Sequence, residues 1–174
     1  MRRVREAEAA CAELGVARVE WLPYDDSGMA GTDTTANPKA FSNAEPNEVA
    51  GQISALLHDE TIGVVVGYDA NGTYGHPDHI QVHQVAHALA PIVPRSWLLD
   101  ATYSREYLAS LPDADGTLDL AFAAAEADLT HFVQGEELFR AKVGATGNHQ
   151  SQVPDDWDVD NPDLDGFRAR FGTE

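Results

Sequence analysis

The run 62–68, "IGVVVGY", constrains the fold more than any other stretch of the chain because it holds three consecutive valines and no charge. An uninterrupted β-branched run predicts a strand that is buried on both faces, as in a parallel sheet. Helical periodicity surrounds it, over 46–59 with Pro46 in the first turn and over 76–90 after Pro77. A strand between two helices predicts an α/β domain.

The remaining elements extend this pattern in both directions. Helix periodicity starts at the N-terminus and ends at Gly15, a typical helix C-cap. Further strands are predicted over 16–22, 96–102 and, more weakly, 129–134, a helix over 135–150, a long loop over 23–45 and an irregular tail over 154–167. This order predicts a single domain over 1–174, with an open, mostly parallel Rossmann-like sheet and helices on both faces.

Composition limits the partners and the compartment. The chain carries 29 acidic and 11 basic residues, a net charge of −18, which repels phosphate backbones and anionic lipids. We therefore expect neither nucleic acid nor membrane as a partner. The single cysteine, Cys11, cannot form an internal disulfide, and charges occupy the positions where a signal peptide would be apolar. These features predict a cytoplasmic protein.

The segment 72–87, "GTYGHPDHIQVHQVAH", concentrates four of the seven histidines directly after the predicted buried strand. His76, Asp78 and His79 fall at the first turn of the predicted helix. Ligands of open α/β sheets bind beyond the carboxyl ends of the strands. The 23–45 loop also follows a predicted strand, so we expect it to lie beside this histidine segment.

The residue types suit hydrolytic chemistry, but the spacing alone leaves alternatives open. A neutral imidazole is a good zinc ligand, and a carboxylate next to a second imidazole can keep that ring protonated as a general acid. Equally, His79 could be a structural histidine and Tyr74 a loop aromatic. His83 could serve packing or orientation, and His87 could be a solvated surface residue.

A longer pattern favours the functional interpretation. The segment 68–83, "YDANGTYGHPDHIQVH", resembles the second signature of the PIG-L/LmbE-like family of zinc-dependent N-acetylsugar deacetylases. The segment 3–16 resembles the R-x-x-E helix of that family, and 138–152 resembles its helix ending in H-x-S-Q. "DSGMAGT" at 26–32 is similar to the mycothiol-pathway deacetylases, and "FGTE" at 171–174 resembles the closing segment.

The resemblance implies a role for several residues. It implies that His79 is a zinc ligand and that His76 stabilises the tetrahedral intermediate and protonates the leaving amine. Asp78 would orient His76, and Tyr74 would help to polarise the substrate carbonyl. These roles agree with amide hydrolysis, which needs a metal to activate water and an acid for the leaving amine.

The resemblance also implies the substrate class, a small amino sugar conjugate such as N-acetylglucosaminyl-inositol, gripped by Arg3 and Asp26. A glycopeptide sugar and another N-acyl amine are alternative substrates that the resemblance leaves open. The sequence does not indicate the oligomeric state.

One departure from the family pattern changes what we expect of the chain alone. The first signature of the family, A-H-P-D-D-E, supplies a zinc histidine, a zinc aspartate and the catalytic base, and it does not occur here. We therefore expect a domain that is N-terminally incomplete, without the first strand, with weak or absent zinc binding and little or no activity on its own. The alternative is a non-catalytic protein derived from that fold that binds sugars or a partner chain.

Overall fold

The computed structural model describes residues 2–110, 120–133 and 135–153. The chain divides into two compact units, one formed by Met1–Trp21 with Thr130–Glu174 and the other by Leu22–Leu129. We call these the terminal unit and the central unit. The single domain over 1–174 stays a prediction. The tail 154–167 and the "FGTE" segment lie outside the described residues.

The described residues form a mixed α/β fold. The helices are α1 (Arg2–Glu13), α2 (Pro46–Leu56), α3 (Gly72–Gly75), α4 (Pro77–Leu89), α5 (Arg105–Ser110) and α6 (Glu136–Gly147), and the strands are β1 (Val64–Tyr68) and β2 (Trp97–Ala101). Short 3-10 helices cover Asp33–Ala36, Phe41–Asn43, Leu120–Phe122 and Glu126–Asp128. None of the described helices combines the length and the hydrophobicity that a membrane crossing requires.

The sheet of the central unit consists of two parallel strands joined by α4. Strands β1 and β2 pair in register, with Val64 opposite Trp97. The glycine in β1 lets the connecting helix pack closely, because a Cβ at Gly67 would lie 2.9 Å from the Ala86 Cβ. The predicted strands at 62–68 and 96–102 and the helix between them are therefore confirmed.

The core of the central unit lies between α2 and α4. Val49 and Ala50 of α2 are fully buried, and Val85 and Leu89 of α4 are nearly so. Pro46 occupies the first turn of α2, where its missing N–H removes no helical hydrogen bond. This packing holds α4, and with it the histidine segment, at a defined position in the unit.

The terminal unit pairs the first and last described helices, α1 and α6. Gly15 ends α1 in the left-handed region, at φ +71°, and the Val16 N–H donates to the Cys11 carbonyl. Gly144 of α6 faces the Glu13 side chain of α1, since a Cβ there would lie 2.9 Å from the Glu13 carboxylate. The helices predicted at the N-terminus and over 135–150 are confirmed.

Two predicted strands are wrong where the structure describes them. Neither 16–22 nor 129–133 forms a strand, and residue 134 lies outside the described residues. Strand-favouring residues need a neighbouring backbone for their hydrogen bonds and a surface for their side chains. Both are missing here, since the only sheet of the described residues has two strands and Trp21 and Val133 are exposed.

Burial of β1 on both faces is also a wrong prediction. Alternate strand residues point to opposite faces, and α4 packs against the face that carries Gly67. On the other face, Val64 is 51 % exposed and Val66 is 64 % exposed. The wider Rossmann-like sheet thus stays a prediction, and the structure itself shows a two-stranded parallel sheet with helices.

Candidate active site

A tight turn follows β1 and carries the chain into α4. The Asp69 Oδ1 accepts hydrogen bonds from the backbone N–H of Asn71 and of Thr73, both at 3.0 Å. Gly72 has φ +63°, and a Cβ there would lie 2.8 Å from the Ile80 nitrogen. Thr73 has φ +61°, a strained conformation for a β-branched residue. The turn is thus packed directly against the first turns of α4.

His76 caps the N-terminus of α4. Its Nδ1 accepts a hydrogen bond from the Asp78 backbone N–H at 3.2 Å, and Pro77 occupies the first helical position. An imidazole that accepts at Nδ1 carries its proton at Nε2 when it is neutral. The cap therefore fixes both the place and the tautomer of His76.

His79 is held as a neutral imidazole. Its Nδ1 lies 3.3 Å from the Gly72 carbonyl oxygen and 3.4 Å from the Thr73 hydroxyl, and its ring stacks on Tyr68 at 4.1 Å between centroids. Burial, reinforced by the neighbouring His76, lowers the pKa of His79. With Nδ1–H donating to the carbonyl, the lone pair of Nε2 is left for a metal ion, the usual arrangement of metal-binding histidines.

The 23–45 loop lies against the histidine segment, as the sequence predicts. Asp26, His76 and Asp78 each offer a nitrogen or carboxylate oxygen, and these three atoms lie within 4.8 Å of one another. The loop is itself closed by hydrogen bonds between Asp25 and Lys39 and between Phe41 and Asp25. The structure thus brings Asp26 to the N-terminal end of α4.

Ser27 makes the direct connection between the loop and α4. Its N–H donates to the Asp78 Oδ2 at 3.1 Å, and its hydroxyl donates to the Asp78 Oδ1. The same hydroxyl accepts from the Ser42 N–H at 2.9 Å, and Ser27 is fully buried. The hydrogen bonds that the structure gives the Asp78 carboxylate therefore go to Ser27, while the role of Asp78 in orienting His76 stays a prediction.

Tyr74 extends over the two histidines from the turn. Its ring centroid lies 5.0 Å from that of His79, edge to face, and 6.1 Å from that of His76. Burial raises the pKa of the Tyr74 hydroxyl, and the charges of Tyr68 and Asp26 raise it further. The hydroxyl is thus protonated at neutral pH and can donate a hydrogen bond.

Two motifs of the terminal unit also meet. The Glu6 carboxylate on α1 accepts from the Ser151 N–H at 3.0 Å and from its hydroxyl at 2.6 Å, which lowers the pKa of Glu6. Glu6 ends the R-x-x-E pattern and Ser151 belongs to H-x-S-Q, so the two patterns form one contact. Arg3 lies exposed on α1, and its contact with a sugar stays a prediction.

Three residues of the central unit were missed by reasoning from sequence. Ser27 stands within "DSGMAGT", but nothing in its neighbours signals a partner 51 positions away. Tyr68 has the pattern of a strand residue, although its ring stacks on His79. Burial raises the pKa of Tyr103, with added effects of Tyr68 and Tyr74, which places this tyrosine near the same site.

Comparison with known proteins agrees with this geometry. The model of the family "PIG-L: GlcNAc-PI de-N-acetylase" matches residues 1–90. The chain is similar to proteins named 1D-myo-inositol 2-acetamido-2-deoxy-alpha-D-glucopyranoside deacetylase. That of Salinispora arenicola is 34% identical over 99% of this chain and 61% of the relative. That of Geodermatophilus obscurus is 36% identical over 92% of this chain and 63% of the relative.

A further relative matches over a shorter segment. The deacetylase of the same name from Rhodococcus opacus is 47% identical over 90 residues, which cover 49% of this chain and 31% of the relative. The chain thus spans about three fifths of the length of the relatives that it matches from end to end. Since the family model covers more than half of the chain and includes both the "DSGMAGT" loop and the histidine segment, the chain belongs to the PIG-L (GlcNAc-PI de-N-acetylase) family.

Proposed function

We propose that this chain carries part of the active site of a zinc-dependent N-acetylsugar deacetylase. The substrate would be an N-acetylglucosaminyl-inositol conjugate, which is cleaved to acetate and the free amino sugar. The observation that carries the proposal is the placement of His76 and His79 side by side at the end of β1, with ring centroids 5.1 Å apart and Tyr74 over both. Family membership and the names of the relatives support the substrate class.

The donor chemistry of the site fits zinc. The neutral imidazole of His79, with Nδ1 at the Gly72 carbonyl, offers Nε2 as a zinc ligand. A bound zinc ion would lower the pKa of a water molecule and polarise the amide carbonyl. His79 is the residue of this chain to which we assign metal binding.

The neighbouring side chains supply the proton chemistry. Tyr74 keeps its proton at neutral pH and would donate a hydrogen bond to the carbonyl oxygen as negative charge develops there. His76 would deliver a proton from Nε2 to the leaving nitrogen when the ring is an imidazolium. Forming the imidazolium places a second proton on Nδ1, which then no longer accepts from the Asp78 N–H. Asp78 would hold the 23–45 loop next to these side chains, because its carboxylate accepts a hydrogen bond from the Ser27 N–H.

Asp26 lies where a sugar hydroxyl would bind. Its Oδ1 accepts from the Gly28 N–H at 2.7 Å, and since no described residue is given a hydrogen bond to its Oδ2, this oxygen can accept from a hydroxyl group. Arg3 is assigned to the sugar on the family resemblance alone. An acidic contact suits a neutral polyol, and the net charge of −18 disfavours polyanionic substrates.

The experiment separates the two histidines. With the A-H-P-D-D-E motif supplied upstream, wild type, His76→Ala and His79→Ala are compared for zinc content and for release of acetate from N-acetylglucosaminyl-inositol. We expect His76→Ala to keep its zinc and lose about 10²–10⁴-fold in turnover, the usual contribution of a general acid. We expect His79→Ala to lose both zinc and turnover.

The opposite outcomes are equally clear. If His76→Ala loses its metal, or keeps a near-normal rate, the assignment of acid and ligand is wrong. If the wild type binds the conjugate without turning it over, the protein is the non-catalytic sugar-binding alternative. The exposed His58, which pairs with Asp59 at 2.8 Å, provides the matched control, and His58→Ala should change neither quantity.

Two broader expectations complete the proposal. We infer that the parallel β1–α4–β2 unit belongs to an open Rossmann-like sheet, which its crossover connection and the uncovered face of β1 support. We also infer a cytoplasmic location, which the single cysteine supports.

A further inference from the structure

A second group of potential metal ligands lies further along α4. It consists of His83 and His87 on the helix and Asp100 on β2, and we call it the α4–β2 cluster. The three ligand atoms of these side chains lie within 4.8 Å of one another. No step of the proposed deacetylation uses the α4–β2 cluster, and His79 is not one of its members.

The two imidazoles of the cluster converge on one carboxylate. His83 and His87 are four residues apart, so they project from the same face of the helix, and their ring centroids lie 4.2 Å apart. The His87 Nε2 lies 3.1 Å from the Asp100 Oδ2, and the His83 Nδ1 lies 3.5 Å from the Asp100 Oδ1.

The scaffold keeps the cluster in place without any ion. The His83 Nδ1–H donates to the Tyr68 carbonyl oxygen at 2.9 Å, as metal-binding histidines commonly donate to backbone carbonyls, so Nε2 is the atom of this ring that can bind a metal ion. The α4 residues Val85 and Ala86 between the two histidines are buried, and β2 is paired with β1. Both elements that supply the ligands are therefore fixed by packing.

The cluster is open to solvent. The exposed fraction of the side chain is 21% for His83, 47% for His87 and 34% for Asp100. A hydrated ion can reach these groups, and water can complete its coordination. Ligand atoms bonded to zinc at about 2.0–2.1 Å in tetrahedral geometry are about 3.4 Å apart, so the three side chains must rotate to bring their ligand atoms around one ion.

We propose that the α4–β2 cluster binds a divalent transition-metal ion of the zinc class through His83, His87 and Asp100. Two imidazoles and one carboxylate suit zinc, cobalt or nickel, whereas calcium and magnesium prefer a shell of oxygen ligands. The ion would link α4 to β2 at positions that lie further along α4 than His79 of the candidate active site. Because His79 takes no part, this site is independent of the proposed deacetylase function.

The experiment counts bound metal in the full chain, with Co²⁺ as a spectroscopic probe and Zn²⁺ as its competitor. Wild type is compared with His87→Ala and Asp100→Asn, both at exposed positions, so that folding is preserved. His58→Ala is the matched control, because His58 is exposed and pairs with the carboxylate of Asp59, and among the described residues it has no second imidazole beside it. Circular dichroism confirms that each variant is folded.

We expect His87→Ala and Asp100→Asn each to weaken Co²⁺ binding at least about tenfold, because even groups that only orient a metal ligand are worth 10–100-fold. His58→Ala should bind as wild type does, and Zn²⁺ should displace the bound Co²⁺. The proposal is overturned if wild type binds Co²⁺ no more tightly than His87→Ala does. His79→Ala should still bind Co²⁺ at the α4–β2 cluster. This result distinguishes a failure of the proposed cluster from a failure of the proposed deacetylase site.

Discussion

Removing the Ser27 hydroxyl should destabilise the central unit strongly. In Ser27→Ala, the Asp78 carboxylate loses a charge-assisted hydrogen bond, and the Ser42 N–H loses the acceptor that it has at 2.9 Å. A hydrogen bond to a charged group contributes about 1.5–3 kcal/mol, and a buried donor left without a partner costs about 1–3 kcal/mol. Ser27 is fully buried, but Asp78 is only partly so and keeps its bond from the Ser27 backbone. We therefore expect a loss of about 2–4 kcal/mol.

Chemical denaturation, followed by far-ultraviolet circular dichroism, measures this loss of unfolding free energy. A thermal melt should show a midpoint lower by about 4–16 °C, since 1 kcal/mol corresponds to about 2–4 °C in a chain of this size. Ser110→Ala is the matched control, because the Ser110 hydroxyl is exposed and donates to the nearby Tyr107 carbonyl at 2.7 Å, a contact within one helical turn. The control should change the unfolding free energy by less than about 0.5 kcal/mol.

A double-mutant cycle tests the physical cause. If Ser27 acts through Asp78, the loss caused by Ser27→Ala should shrink by about 1–2 kcal/mol in an Asp78→Asn background. Additive effects of the two substitutions would show that the connection between the loop and α4 does not depend on this hydrogen bond. A loss for Ser27→Ala as small as that for Ser110→Ala would refute the reasoning altogether.

Three further predictions concern stability. The Ser151 hydroxyl lowers the pKa of Glu6, so the Glu6 carboxylate stabilises the fold above the unfolded pKa of about 4.3. This contribution is lost as pH falls through the lower folded pKa. Glu6→Gln should therefore be less stable than wild type at pH 7, and the difference should be smaller in denaturation at pH 3. Gly72→Ala should cost at least about 1–2 kcal/mol in urea denaturation, because φ is +63° and the new Cβ would meet the Ile80 nitrogen, whereas Gly63→Ala, with open space around it, should be nearly neutral. Val49→Ala should cost about 2–3 kcal/mol in the same assay, from two lost methyl groups and the cavity that they leave in a fully buried position; a value below about 1 kcal/mol would show that α2 and α4 pack loosely.

Local sequence determined most of the elements that carry the site. A β-branched run predicted β1, Pro77 and the following periodicity predicted α4, and Gly15 marked the end of α1. These patterns act within one or two turns of chain, where steric preference and hydrogen bonding between near neighbours decide the conformation. For the same reason, the amino-acid sequence alone was enough to place the histidine segment at the end of a strand.

Contacts between distant segments were decided only by the tertiary structure. Strand propensity at 16–22 was not enough to make a strand, because pairing depends on a neighbouring backbone that the local sequence does not reveal. The Ser27–Asp78 and Glu6–Ser151 contacts join residues 51 and 145 positions apart. Such contacts form because folding brings a particular donor and acceptor together. The type of each residue, such as a serine or a glutamate, gives no sign of its distant partner.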